Sequence, residues 1–144
     1  MAVMQNDVAR PQYRMLPEVT PYSEAFWTGG AQNQLRIYRC QSCERWFHPP
    51  VGACFRCRSP HVGPETASGR ATVAALTVNH HQWFEGFPPP YVVAIVELAE
   101  EPDVRLTTQI VGCPVDDVAV GMPVEVTFEA WDQVWIPVFR PVAS

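Results

Sequence analysis

From residue 70 onward the chain is written in short stretches whose apolar positions tend to recur every second residue. That is the period of a strand, not of a helix. In "PVEVTFEAW" (123–131), Val124, Val126, Phe128 and Ala130 alternate with Glu125, Thr127 and Glu129. In "VRLTTQIVG" (104–112), Val104, Leu106, Thr108 and Ile110 share one face. "RATVAALTVNHH" (70–81) is rich in β-branched and small residues, and "VWIPVFRP" (134–141) is a further extended run. "YVVAIVELAE" (91–100) is apolar without a break over its first six residues, which predicts a strand buried on both sides. Turn-forming stretches, "EGFPPP", "EEPD", "GCPVDD" and "AVGMP", separate these runs. Five short strands with few helical patterns predict a small closed barrel of the OB type; two-sheet sandwiches generally need more strands.

The preceding half has a different texture. Residues 1 to about 17 are polar, contain prolines and show no periodicity, as expected of an arm. "TPYSEAFWTGGAQNQL" (20–35) predicts a short helix, with Thr20 as cap, Pro21 in the first position and Gly29-Gly30 at its end. Tyr22, Phe26 and Trp27 give it an aromatic side, to be covered either by the protein's own core or by a partner. "GPETASG" (63–69) reads as a linker. The expected division is an arm and short helix over 1–35, a cysteine-rich module over 36–62 and a barrel over 66–144.

That module carries the clearest chemistry. "YRCQSCERWFHPPVGACFRCRSP" (38–60) holds four of the five cysteines as two Cys-x-x-Cys pairs, Cys40/Cys43 and Cys54/Cys57. A disulfide framework belongs to secreted chains, and the N-terminal sequence has no apolar signal core. A thioredoxin-type redox pair leaves the second pair unexplained. A metal explains both: each pair forms a turn presenting two sulfurs, and "ERWFHPPVGA" is long enough to bring the second turn back to the first. Four thiolates suit structural zinc, with iron the alternative, in a closed site that leaves no position for substrate. His48 and His61 are then not needed as ligands. Cys113 stands alone beside a turn and is expected to pack as a small apolar side chain.

Charge narrows the function. The chain has a net charge of −5 and no lysine, which excludes Schiff-base catalysis and the lysine of a phosphate-binding P-loop. Five of the ten basic residues, Arg36, Arg39, Arg45, Arg56 and Arg58, surround the cysteines against Glu44 alone, a local +4 that offsets the charge of a metal–thiolate centre. Overall acidity argues against nucleic acid as partner. No stretch is apolar for the ~18–20 residues that span a membrane, and a cytoplasmic location is expected. Gly-x-Ser-x-Gly, Gly-x-Gly-x-x-Gly and His-Glu-x-x-His are all absent. "NHHQWFEGFPPP" (79–90), with His80, His81, Trp83, Glu85 and Phe87, is the one candidate catalytic stretch. It is either an acid–base loop or aromatics packed over the barrel mouth.

Taken in order, the "FW" of the helix, "RCQSCERWFHPP", "CFRCRS", "SGRATVAALTVNHH", "PPPYVVAIVEL", "VGMPVEVTF" and "VFRP" resemble the OB-fold acyl-CoA-associated proteins. This family was formerly known only as a domain of unknown function, and the similarity runs from about residue 17 to the C-terminus. The resemblance implies N-terminal helices, a rubredoxin-like zinc ribbon held by Cys40, Cys43, Cys54 and Cys57, and an OB barrel. It further implies a non-catalytic subunit of a thiolase-superfamily complex acting on acyl-CoA thioesters. "TVNHH" and "PYVVAIVEL" look most like the branch that partners a lipid-transfer-protein-like aldolase in steroid side-chain degradation. A dimeric thiolase-fold partner implies a 2:2 heterotetramer. In that setting Tyr22, Phe26 and Trp27 become candidates for the partner interface. His80, His81, Trp83 and Phe87 become candidates for a loop lining the acyl-CoA channel. The chain departs from the family where glycine commonly follows the first Cys-x-x-Cys, here Glu44, and where proline stands inside the second, here Phe55. A single-stranded nucleic-acid-binding ribbon and a thioester enzyme built on the histidine loop are the competing readings.

Overall fold

The computed structural model describes residues 15–143, so the arm expected over 1–17 falls almost wholly outside the described residues. In chain order the elements are α1 (Glu24–Thr28), β1 (Arg36–Cys40), β2 (Trp46–Phe47), β3 (Val62–Thr66), β4 (Arg70–Asn79), β5 (Tyr91–Leu98), β6 (Arg105–Ile110), β7 (Pro123–Trp131) and β8 (Val134–Pro141). The last five close into a barrel in the order β4-β5-β6-β8-β7, and β2-β1-β3 form a separate three-stranded sheet. The fold is mostly β, with one short N-terminal helix and a five-stranded OB-like barrel, as the alternation predicts.

The barrel interior follows the strand period. Val92, Ala94, Val96 and Leu98 of β5 are buried with Leu106 and Ile110 of β6, Val124 and Phe128 of β7, and Phe139 of β8. Thr108 is the buried polar member of this interior among the described residues, and its hydroxyl donates to the Pro137 carbonyl at 3.0 Å. Closure between β6 and β8 is parallel and rests on the single pair Ile110↔Phe139, with Val111 N–H donating to Phe139 O at 2.8 Å. Ahead of that pair, Thr107, Thr108, Ile136 and Pro137 line cavities along a seam between the two strands.

Two expectations need correction. First, β5 is buried on one face, not two: Tyr91 and Val93 are half-buried and Ile95 is exposed on the outer side. Its outer residues are simply apolar, which hides the alternation. Second, the stretch read as a linker opens with a strand. Val62–Thr66 pairs antiparallel with the whole of β1, Arg36↔Thr66 through Cys40↔Val62. As an edge strand it needs no apolar period, and it accepts Pro64. Thr20 caps the turn that leads into α1, as expected: its hydroxyl accepts from Ser23 N–H at 3.2 Å, its carbonyl accepts from Glu24 N–H at 2.9 Å, and Ser23 Oγ accepts in return from Thr20 N–H at 2.9 Å.

The α-helix ends at the glycines, as expected: α1 stops at Thr28 with Gly29 as its C-cap, the chain tightens into a 3-10 turn over Gly29–Gln32, and Asn33 ends that turn in the left-handed region at φ 58°. Gly30 also serves close approach. A Cβ there would lie 2.3 Å from the Trp135 Cβ and 2.7 Å from the Phe128 ring, so the glycine lets the turn sit directly on β7 and β8.

Candidate metal centre

The two cysteine pairs sit on two turns built alike. In the first, Cys40 N–H donates to Arg45 O at 2.8 Å; in the second, Cys54 N–H donates to Ser59 O at 2.9 Å. Each bond spans five residues and folds the chain around one Cys-x-x-Cys. The residue after each pair, Glu44 (φ 65°) and Arg58 (φ 63°), takes the left-handed conformation that the turn requires. The hydroxyls of Ser42 and Ser59 meet at 2.7 Å and tie the turns together.

All four sulfurs of Cys40, Cys43, Cys54 and Cys57 lie within 4.8 Å of one another. Sγ of Cys40 is 3.5 Å from that of Cys57, and Sγ of Cys43 is 3.7 Å from that of Cys54. A disulfide needs ~2.05 Å. A tetrahedron with metal–sulfur bonds of ~2.3 Å has edges of ~3.8 Å, so the arrangement fits a four-thiolate ion such as zinc. Cys40 and Cys54 are buried while Cys43 and Cys57 reach the surface. The Cys43 N–H, 3.5 Å from Sγ of Cys40, is the main cause that pulls Cys40 down to about 6. The Cys57 N–H lowers Cys54 in the same way. The Ser59 N–H also pulls Cys57 down, but its sulfur neighbour Cys40 and burial outweigh it and push that thiol up to about 11. Two sulfurs are therefore readied as thiolates by backbone amides, and a cation would be needed to hold all four together.

Neither histidine near the cluster belongs to it. His48 turns its ring to Phe26, 4.9 Å away, and burial lowers its pKa; His61 is exposed. Three of the clustered arginines find acceptors elsewhere. Arg36 donates to Gln34, Arg39 to Glu65 at 3.2 Å, and Arg45 to Asp103 at 2.9 Å. The Arg45–Asp103 pair joins the ribbon to the β5–β6 turn of the barrel. Cys113 is half-buried against the barrel core, where burial and then Asp117 push its thiol up.

The aromatic side of α1 divides between neighbours. Phe26 packs on the barrel core and Trp27 lies beside it with ring centroids 4.8 Å apart, whereas Tyr22 is exposed and sits edge-on to Tyr38 of the ribbon at 6.4 Å. Phe26, Trp27 and His48 line one end of a cavity of about 340 Å³ whose other wall is Arg105–Thr108 and Ile136–Pro137. A second cavity of about 420 Å³ shares Thr107, Thr108, Ile136 and Pro137 and ends at Phe84, Phe87 and Tyr91. The two adjoin along the β6–β8 seam, a feature that no sequence motif announced. Neither touches the metal cluster.

In the histidine loop, His80 and His81 are exposed, and neither lies within ion-pair distance of a carboxylate among the described residues. His81 rests against Trp83 at 4.5 Å, and Trp83 Nε1 donates to Asn79 at 2.9 Å. Phe87 stacks on Tyr91 at 4.2 Å, so the loop's aromatics are divided between the seam and solvent. Among the described residues, no helix is long and apolar enough to cross a membrane.

Comparison with known proteins agrees with this geometry. Residues 27–62 match the rubredoxin-like zinc ribbon domain of ChsH2, and residues 64–129 match the ChsH2 C-terminal OB-fold domain. A probable enoyl-CoA hydratase alpha subunit of Thermomonospora curvata is 41% identical over 119 residues, covering 81% of this chain and 37% of the relative. The 3-oxo-4,17-pregnadiene-20-carboxyl-CoA hydratase alpha subunit of Mycobacterium tuberculosis is 35% identical over 118 residues, covering 82% and 37%. The chain thus spans little more than a third of the length of these relatives. A chain of the solved Ltp2-ChsH2(DUF35) aldolase superposes with a TM-score of 0.79 at 36% identity, covering 89% of this chain and all of that one.

Proposed function

The chain belongs to the ChsH2 (DUF35) family of zinc-ribbon and OB-fold proteins, and from that premise we propose that it is a non-catalytic accessory subunit. Its partner is a thiolase-fold enzyme, a lipid-transfer-protein-like aldolase or thiolase, acting on acyl-CoA thioesters in steroid side-chain degradation. The observation that carries this reading is the match over the full length of a chain from the Ltp2-ChsH2(DUF35) aldolase. The chemistry supports it. Four thiolates of Cys40, Cys43, Cys54 and Cys57 close a zinc ion off from substrate, so the metal supplies folding energy and rigidity.

In this role Tyr22 and Trp27 contribute to the surface that meets the enzyme. Phe26 packs on the barrel and supports Trp27, while Tyr22 rests against Tyr38 of the ribbon. The loop of His80, His81, Trp83 and Phe87 borders the partner's acyl-CoA channel, with the exposed rings of Trp83 and Phe84 supplying apolar contact. With two copies on an enzyme dimer, the assembly is a 2:2 heterotetramer.

Tagged protein drawn from its native host under gentle conditions is expected to bring down a thiolase-fold enzyme in equal number, counted by native mass spectrometry. Recovery of a hydratase subunit instead would move the chain to a hydration step. Recovery of this chain alone would overturn the accessory role.

A further inference from the structure

The second cysteine turn exposes almost everything it carries. From Val51 to Arg58, Cys54 is the one buried residue, while Phe55 is 65% exposed and Val51 41%. Tyr22, 52% exposed, adjoins them: its hydroxyl lies 2.8 Å from where a Cβ on Gly52 would sit. A run of edge-to-face contacts supports this surface from beneath, Tyr22–Tyr38 at 6.4 Å, Tyr38–Phe47 at 5.9 Å and Phe47–Phe55 at 6.2 Å. The Arg45 guanidinium lies 4.9 Å from the Phe55 ring centre. Phe55 is therefore held in place and still faces solvent, so docking on it costs little further ordering.

Beside this apolar centre stand Arg56 and Arg58, both exposed. Neither guanidinium makes a hydrogen bond or ion pair among the described residues, whereas Arg39, Arg45, Arg105 and Arg140 are each paired with a carboxylate. Two unpaired arginines flanking exposed aromatics form a surface complementary to an acidic one, and arginine and aromatic residues are those enriched in protein interfaces. Nucleic acid fits less well, because the chain carries a net −5 and no lysine to track a phosphate backbone.

We propose that this ribbon tip, Tyr22, Val51 and Phe55 with Arg56 and Arg58, docks on an acidic surface of the partner enzyme. The inference rests on the accessory reading and extends it by assigning a contact to the ribbon, outside the barrel seam and the histidine loop.

The test uses the complex recovered with the thiolase-fold enzyme. Dissociation constants are measured for the wild type, the double variant R56E/R58E, Phe55→Ser, and Arg70→Glu as a charge control on the barrel. Metal content of one ion per chain verifies the ribbon in each. The double reversal is expected to weaken association about a hundredfold and to flatten its salt dependence, and Phe55→Ser about tenfold. Arg70→Glu stays within about twofold, as a substitution remote from the contact. If R56E/R58E loses metal, Phe55→Ser decides. Wild-type affinity in every metal-loaded variant overturns the tip and leaves the accessory role standing. Failure of the wild type to bind the enzyme removes both. Loss in R56E/R58E of a wild-type homodimer, or of oligonucleotide binding, in place of enzyme binding overturns the proposal in favour of that occupant.

Discussion

The ribbon and the barrel reach a fixed structure by opposite means. The barrel core joins sixteen buried residues, from Leu35 to Phe139, gathered from distant parts of the chain. The ribbon buries Cys40, Phe47 and Cys54, with Tyr38 and Val62 half-covered, and two of those three belong to the four-sulfur cluster. Apolar burial at ~25 cal/mol per Å² can hold the first, whereas the second is too small to exclude water from a core of its own. β1 belongs to both: Ile37 points into the barrel core and Cys40 into the ribbon. Whatever fixes the sulfurs is therefore connected to the barrel through one strand, with Arg45–Asp103 as a second tie. The comparison teaches that a metal held by the four sulfurs would order a surface for which the barrel supplies the foundation.

The largest effect that would break this contrast is loss of the metal. Chelation, or Cys40→Ser with Cys54→Ser, is expected to unfold the ribbon, since structural zinc contributes on the order of 10 kcal/mol to such modules. Hydrogen exchange should then show fast amides over residues 41–62 and continued protection in β5 and β7. If β5 and β7 lose protection equally, the two regions form one cooperative unit and the division fails.

Acid acts more gradually in the same place. Protons compete with metal for the sulfurs, so retention weakens as pH falls. Cys40 is depressed to about 6 in the folded chain, so its contribution is full above the ordinary thiol range and is lost as pH falls through about 6. His48 works in the same direction. Burial lowers its pKa, so the unfolded chain takes up a proton first, and stability declines as pH falls below the ordinary histidine value of ~6.5. Metal release followed with a colorimetric chelator is expected to rise below about pH 6, while the strand signal in circular dichroism persists. A flat release curve down to pH 4 would contradict this.

How much of this was legible in the sequence depended on the range of each signal. The two Cys-x-x-Cys pairs are local, and their spacing alone pointed to a four-sulfur cluster. The alternation of β6 and β7 is local too, because each has one dry and one wet face. β3 was missed because its reason for being a strand is β1, twenty-four residues away at Arg39↔Gly63, and nothing in "VGPET" itself records that pairing. Gly29-Gly30 was legible as the end of the α-helix, but the close approach of Gly30 to Trp135 and Phe128 at the far end of the chain was not, for the same reason. The seam was invisible because it arises where β6 and β8 share a single ladder pair, a property of closure and not of any segment. The aromatic helix was half legible: a ring-rich side was plain, but not that Phe26 and Tyr22 would face different modules.

The smallest effect sharpens the comparison best, because it acts on the ribbon alone. Glu44 sits at φ 65°, where an L side chain crowds the following carbonyl at a cost of ~1–2 kcal/mol. Glycine removes that crowding and loses ~0.5–1 kcal/mol in chain entropy, so Glu44→Gly should stabilise the ribbon by roughly 0.5–1 kcal/mol. The contact Glu44 makes to Arg39 is through its own carbonyl, at 2.8 Å from Arg39 Nε, and survives the change. Removing the carboxylate also takes one negative charge away from four thiolates, which adds in the same direction. The gain should appear as slower metal transfer to a competing chelator, with the urea midpoint of the barrel unmoved. An equal shift in the barrel midpoint would mean that strain in the first cysteine turn is already shared through β1. The ribbon would then be a cooperative part of the barrel, not a module fastened to it.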